Sequence, residues 1–171
     1  MESFFENTTT LTRRNLTEMA RANAPKWSLL TGLLPAAAAV AVAVVDLIRR
    51  GISLWAGLLL LAAFALVMTT YGAPARVALK IAKRNFKKYN SEVTATLTFY
   101  EDRVTVRNHQ EDTEGELRYE QILAVRQTPR LYLLELPGKT ALMLEKTAFS
   151  KGAAEEFLPF MQKKCPGRAA G

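Results

Sequence analysis

Apolar and polar residues are distributed very unevenly along this chain. Trp27 to Val45 is a run of 19 residues without a charge, and Gly51 to Ala75 is a second run of 25. About 20 apolar residues in a helix cross the ~30 Å hydrocarbon core of a bilayer. The pattern therefore predicts two membrane-spanning helices, over residues 27–48 and 52–72, joined by a short turn.

Residues at the ends of these runs fit that prediction. Trp27 opens the first run, and Trp55 and Tyr71 lie near the two ends of the second, where aromatic side chains favour the headgroup level. Pro35 lacks a backbone donor, so we expect a kink or a local break there. Ala-x-Ala triplets in the first run leave a cleaved leader open as an alternative, although a second span follows almost at once.

Beyond Asn90, apolar residues recur at every second position, which is typical of strands. The predicted strands cover residues 92–100, 103–108, 116–119, 123–127, 131–136 and 140–145. Residues 109–115 are predicted to form a polar loop. Short separations without intervening helices indicate an antiparallel meander. Ser150 is predicted as the N-cap of a closing helix. The apolar face of that helix consists of Ala153, Phe157, Phe160 and Met161.

Polar segments flank the predicted spans. Residues 3–10 favour a short strand, residues 11–23 favour a short helix, and residues 75–89 extend the second span as a basic helix. The resulting division is an N-terminal cytoplasmic segment (1–26), two transmembrane helices (27–48 and 52–72), a juxtamembrane helix (73–90), a soluble domain (91–165) and a tail (166–171).

Charge is also unevenly distributed. The net charge is +7, but residues 1–90 hold 12 Lys and Arg against 4 Asp and Glu, whereas residues 91–171 hold 11 against 12. Nucleic-acid binders tend to carry positive charge on the folded module, so this class is not favoured. Ten Lys and Arg flank the pair of spans and only Arg49 and Arg50 lie between them. The positive-inside rule therefore predicts that both termini and the soluble domain are cytoplasmic.

Six basic residues follow the second span and form the candidate site for lipid headgroups. They are Arg76, Lys80, Lys83, Arg84, Lys87 and Lys88. Such clusters next to a span bind anionic lipid, and the alternative is an ordinary solvated helix with snorkelling side chains.

The sequence has no pattern typical of a catalytic, cofactor or metal site. His109 is the only histidine, and Cys165 is the only cysteine and is expected to lie in a frayed tail. Four carboxylates lie close together in the sequence and form an acidic loop: Glu111, Asp112, Glu114 and Glu116. Their spacing is not that of a calcium-binding loop, and we expect them to be solvated. Asp46 is expected to pair locally with Arg49 or Arg50.

Three segments carry a resemblance to a known family. They are Leu97-Thr98-Phe99-Tyr100-Glu101-Asp102, Leu117-Arg118-Tyr119-Glu120-Gln121-Ile122 and Lys146-Thr147-Ala148-Phe149. Together with the closing helix, they resemble the YcxB-like family. The resemblance implies two transmembrane helices and a C-terminal domain similar to bacterial pleckstrin-homology-like modules. It supplies no catalytic residue.

The expected fold is an α+β membrane protein in which a transmembrane helical hairpin precedes a small antiparallel sheet closed by a helix. The expected function is that of a membrane-anchored interaction or regulatory module rather than an enzyme. Its expected partners are the lipid bilayer and either another protein or further copies of the chain, without nucleic acid. The alternatives are a subunit of a small transporter or channel and a membrane-associated enzyme.

Overall fold

A computed structural model of the chain describes residues 2–24 and 26–168, which form two compact units. The β-rich unit combines residues up to 22 with residues from 78 onward, and the helical hairpin is residues 23–77. In chain order the elements are β1 (Phe5–Thr10), α1 (Arg13–Ala22), α2 (Lys26–Arg50), α3 (Leu54–Tyr89), β2 (Thr94–Phe99), β3 (Arg103–Asn108), β4 (Thr113–Arg118), β5 (Ala124–Gln127), β6 (Leu131–Leu136), β7 (Thr140–Glu145), β8 (Phe149–Lys151) and α4 (Ala154–Lys164).

Strand β1, from the start of the chain, lies inside a five-stranded antiparallel sheet. The strand order is β4-β3-β2-β1-β8, and β1 pairs with β2 from Phe5 opposite Phe99 to Thr10 opposite Thr94. Residues 5–10 thus pair with a strand that follows both long helices. The β-rich unit is therefore larger than the predicted domain over residues 91–165, because it also contains the N-terminal segment and the end of α3.

Aromatic side chains from the sheets and α4 make the main core. Phe157 of α4 is fully buried, and its ring lies 5.0 Å from that of Phe99 and 5.5 Å from that of Phe5. Tyr132 and Phe149 lie 5.1 and 5.3 Å from the same ring. Offset and edge-on aromatic pairs at these separations add to the free energy gained by burial. Helix α4 therefore closes the core, as the sequence predicts.

A second sheet, of order β5-β6-β7, is buried on both faces along β6. Tyr132 and Leu134 point into the main core, whereas Leu131 and Leu133 point into a second cluster with Leu16 of α1. Successive side chains of a strand face opposite sides, so this double burial requires a cover on each face. Helix α1 and the end of α3 provide the second cover.

A buried polar network joins β1 to the end of β7. The side-chain amide of Asn7 donates to the carbonyl oxygen of Glu145 at 2.8 Å, and Thr9 Oγ1 donates to Asn7 Oδ1 at 2.6 Å. The backbone N–H of Glu145 in turn donates to Thr9 Oγ1 at 2.7 Å. Asn7 and Thr9 are completely buried, and hydrogen bonding offsets the cost of removing their polar groups from water.

The helical hairpin packs small residues inward and large apolar residues outward. Its buried alanines are Ala36 and Ala43 of α2 with Ala56 and Ala63 of α3, while Ile48, Leu61 and Phe64 are among the side chains more than 60% exposed. A Cβ added at Gly32 would lie 1.9 Å from the hydroxyl oxygen of Thr70, so glycine is needed for this close approach. Within the described residues, these two helices are long and apolar enough to cross a membrane.

Local contacts close the turn between α2 and α3. Asp46 pairs with Arg50 at 3.4 Å and accepts a hydrogen bond from Ser53, whose hydroxyl also accepts from the N–H of Ala56 at 3.2 Å. The predicted local ion pair of Asp46 is confirmed. Helix α2 continues through Pro35, so the predicted break is absent from it.

The predicted α+β class, with antiparallel strands and a closing helix, is confirmed, but two local predictions need correction. Ser150 is not an N-cap: residues 149–151 form β8 against β1, and α4 begins at Ala154. Between β8 and α4, Gly152 has φ of +80°, and a Cβ there would lie 2.2 Å from the ring of Phe5. The loop predicted over residues 109–115 ends early, because Thr113 begins β4 opposite Asn108.

Candidate functional site

A pocket of about 1000 Å³ lies in the β-rich unit between α1 and the turn that joins β5 to β6. Helix α1 starts beside it because the hydroxyl of Thr12 accepts a hydrogen bond from the N–H of Asn15 at 3.2 Å. Leu16 of α1 is buried on the opposite side in the second cluster. The polar face of this short amphipathic helix therefore forms one wall of the pocket.

Five arginines dominate the lining, which we call the arginine pocket. They are Arg13, Arg14 and Arg21 from α1, with Arg126 and Arg130 from the β5–β6 hairpin. Glu18 is the one carboxylate among the lining residues. The remaining lining residues are neutral and include no aromatic side chain.

Glu18 fastens α1 to the β5–β6 turn. Its Oε1 accepts hydrogen bonds from Thr128 Oγ1 at 2.6 Å and from the backbone N–H of Arg130 at 3.0 Å, and its Oε2 accepts from Arg130 Nε at 2.9 Å. Burial raises the pKa of Glu18, but these hydrogen bonds and the nearby guanidinium outweigh it, so the pKa lies below its ordinary value. Glu18 is therefore ionised and fully engaged at neutral pH.

Arg126 makes a second connection between the two walls. Its guanidinium donates to the carbonyl oxygen of Ala22 at 2.9 Å and pairs with Glu135 of β6. Arg126, on the opposite wall, thus provides a hydrogen-bond donor for a carbonyl oxygen at the end of α1. The shape of the arginine pocket is consequently set by contacts at both ends of the helix.

The other three guanidinium groups have no carboxylate partner among the described residues. Arg13, Arg14 and Arg21 are exposed, and no described Asp or Glu lies within 4.0 Å of their side-chain nitrogens. Arg13 and Arg14 also lie in the first turn of α1, where the helix dipole disfavours positive charge. The pocket is therefore strongly electropositive.

The predicted lipid-contact residues lie elsewhere, along α3. Arg76, Lys80, Lys83, Arg84, Lys87 and Lys88 are all exposed. Lys88 pairs with Glu111 at 2.5 Å, and this hydrogen bond raises the pKa of Lys88. The headgroup contact stays a prediction, to be checked by comparing the mobility of this helix in nanodiscs of anionic and neutral lipid.

Two other residues singled out in the sequence, His109 and Asp112, have local partners. His109 Nε2 lies 2.8 Å from Thr96 Oγ1, and Asp112 pairs with Arg107 at 2.9 Å. The described residues contain no cluster of His, Cys, Asp and Glu suited to a metal. Cys165 does not lie in a frayed tail: it is 2% exposed in the main core, where burial raises the pKa of its thiol.

The sequence contained one signal for the arginine pocket that its interpretation did not use. Arg13, Thr17 and Arg21 are spaced by four and share a face of α1, which is a surface pattern that helical periodicity reveals. In the sequence, these arginines were used only as part of the charge count that predicts the orientation of the spans. Nothing in the sequence pairs them with Arg126 and Arg130, more than 100 residues away.

Comparison with known proteins agrees with the resemblance seen in the sequence. Neither the curated proteins nor the solved structures gave a match to this chain. The family model described as "YcxB-like protein" matches residues 99–161, from the end of β2 into α4. The resemblance to the YcxB-like family is therefore confirmed, and within this chain it covers the C-terminal part of the β-rich unit.

Proposed function

We propose that this protein is a membrane-anchored interaction module that holds its β-rich unit at the cytoplasmic surface of a cell membrane. One observation carries the proposal: β1, which precedes both long helices, pairs along its whole length with β2, which follows them. A sheet cannot form across a bilayer, since its backbone groups must find partners on one side. The pairing therefore supports a hairpin whose two flanks share one side.

The surface of the helical hairpin supports a lipid environment. Large apolar side chains face outward, among them Leu34, Ile48 and Leu61, each more than 60% exposed. Water disfavours such a surface, whereas small residues between helices and large residues facing lipid are usual in membranes. The buried alanines and Gly32 provide this close contact between α2 and α3.

The distribution of basic residues supports the cytoplasmic orientation. Arg49 and Arg50 at the turn are outnumbered by the basic residues on the two flanks, and Arg50 is paired with Asp46. We propose that the exposed cations of α3 contact anionic headgroups, to which basic residues close to a membrane surface are attracted. A partner, whether another protein or a second copy, would meet the β-rich unit on that side.

Reporter fusions test this orientation. Green fluorescent protein, which stays dark when it is exported unfolded across the membrane, is expected to be bright when fused before Met1 or after Gly171. Alkaline phosphatase, which is active only after export, is expected to be active when fused after Gly51, beyond the first span, and inactive after Gly171. The full chain is expected to stay in the membrane fraction after alkaline extraction. Phosphatase activity at Gly171, or release of the chain by alkali, would contradict the proposal.

A further inference from the structure

The arginine pocket has a charge excess that the protein itself does not neutralise. Five guanidinium groups line it, and the carboxylates that pair with them are Glu18 and Glu135. Three positive charges are left over, on Arg13, Arg14 and Arg21. Like charges held near one another raise the free energy of the folded state, and local conflicts of this kind occur mainly at functional sites.

The walls of the pocket are held in place without any ligand. Glu18 binds the β5–β6 turn through four hydrogen-bonded or ion-pair contacts, the longest of them 3.0 Å. Arg126 reaches the last turn of α1 at the other end. An anion that enters the pocket therefore meets donors whose backbone positions are already fixed, which reduces the entropy cost of binding.

Arginine chemistry narrows the class of ligand. A guanidinium group presents a planar fork of donors that matches the oxygens of phosphate or carboxylate, and it remains charged at every physiological pH. Three uncompensated charges suit a phosphate group, which carries more than one negative charge, better than a single carboxylate. The lining has no aromatic side chain on which a nucleobase would stack, so recognition is expected to rest on the phosphate.

We propose that the arginine pocket is a binding site for a phosphate-bearing ligand, held by Arg13, Arg14 and Arg21. The phosphate comes either from a lipid headgroup or from a soluble phosphorylated compound. The proposal rests on the β-rich unit alone and is independent of the orientation proposed above, because every lining residue belongs to that unit.

Inorganic pyrophosphate is the probe for the shared chemistry. The full-length protein in neutral detergent is expected to bind it saturably by isothermal titration calorimetry. The variant R13Q/R14Q/R21Q is expected to bind at least about a hundredfold more weakly, since hydrogen bonds to charged groups contribute strongly to affinity. The variant R13K/R14K/R21K keeps the charge but loses the fork, and it is expected to have intermediate affinity.

A matched control removes the same charge elsewhere in the β-rich unit. The variant R118Q/K151Q/K163Q changes three exposed cations outside both the arginine pocket and the basic face of α3, and it is expected to bind pyrophosphate within about threefold of the wild type. Circular dichroism should be unchanged in all variants, because the altered side chains are exposed. If the control and the pocket variant lose affinity equally, or the wild type does not bind, the proposal is wrong.

An experiment on lipid retention distinguishes a lipid headgroup from a soluble compound as the source of the phosphate. Protein reconstituted with phosphatidylglycerol and returned to detergent is examined by native mass spectrometry. A headgroup source predicts that the wild type and the control retain more of this lipid than the pocket variant does, and that pyrophosphate displaces the excess. A soluble source predicts that the wild type retains no more lipid than the pocket variant while still binding pyrophosphate. Either result supports the site.

Discussion

A polypeptide of residues 78–168 is expected to remain unfolded, whereas the same polypeptide joined to residues 2–24 by a flexible linker is expected to fold. The linker, about 20 Gly and Ser residues, replaces the helical hairpin. Ala22 and Ala78 both pack at the second cluster, so the chain can be closed there. Without β1, the sheet loses its strand between β2 and β8, and the main core loses Phe5.

The expected loss is comparable with the whole stability of a domain. Removing one buried Phe costs about 3–5 kcal/mol, and small domains are stable by about 5–15 kcal/mol in all. The polar network of Asn7 and Thr9 and the cover provided by Leu16 are lost as well. Circular dichroism and urea unfolding compare the two polypeptides.

A matched pair of variants of the linked polypeptide tests whether folding depends on the burial of Phe5. Phe5→Asp places a charge in the core and is expected to abolish folding, since Phe5 is only 6% exposed. Phe4→Asp, at the neighbouring residue, which is 46% exposed, is expected to fold. Cooperative unfolding of residues 78–168 on their own would show that β1 is dispensable.

Phe157→Ala is expected to destabilise the β-rich unit by about 3–5 kcal/mol, because it removes the ring at the centre of the main core. Four other aromatic rings lie within 5.5 Å of it. The cavity left behind would be lined by Phe5, Phe99 and Tyr132, which cannot collapse into it without distorting both sheets.

The reactivity of the single cysteine, Cys165, measures the destabilisation caused by Phe157→Ala in the full-length protein. Cys165 is buried, so it reacts with a maleimide only when the β-rich unit opens. With a slope of ~1.5 kcal/mol per molar urea, a loss of 3 kcal/mol lowers the midpoint of reactivity by about 2 M. Phe86→Ala, at a Phe that is 57% exposed, is the control and should change the midpoint little. A shift below about 0.5 M for Phe157→Ala would contradict the assignment of the core.

Local sequence patterns predicted most of the elements correctly. Alternation in residues such as Val104 and Val106 predicted β3, and long uncharged runs predicted α2 and α3. Strand β8 was missed because its three residues are too few to show a period, and it exists only by pairing with β1. The partner of β1 could not be predicted for another reason. Thr10 and Thr94 are 84 residues apart, and no local rule links them.

Local rules could reveal the arginine-bearing face of α1, but not the second wall of the arginine pocket. Its two walls meet through Glu18 and Arg130, which are 112 residues apart in the chain. In the sequence, Arg13, Arg14 and Arg21 were assigned to membrane topology, and Arg130 lies between two predicted strands without an assigned role. Cys165 was misjudged in a similar way, since a position near the end of the chain gives no indication that α4 carries it into the core.

A disulfide between β1 and β2 tests most directly whether the two flanks of the helical hairpin form one sheet. Thr8 and Thr96 are opposite each other, with hydroxyl oxygens 2.8 Å apart, which places their Cβ atoms within reach of a disulfide. The variant T8C/T96C is oxidised in native membranes, then denatured and treated with a maleimide-linked polyethylene glycol. The control T8C/R107C places the second thiol one strand farther away, on β3, about 10 Å from residue 8. We expect T8C/T96C to gain one polymer chain, at Cys165 alone, and the control to gain three; three on both variants would contradict the sheet.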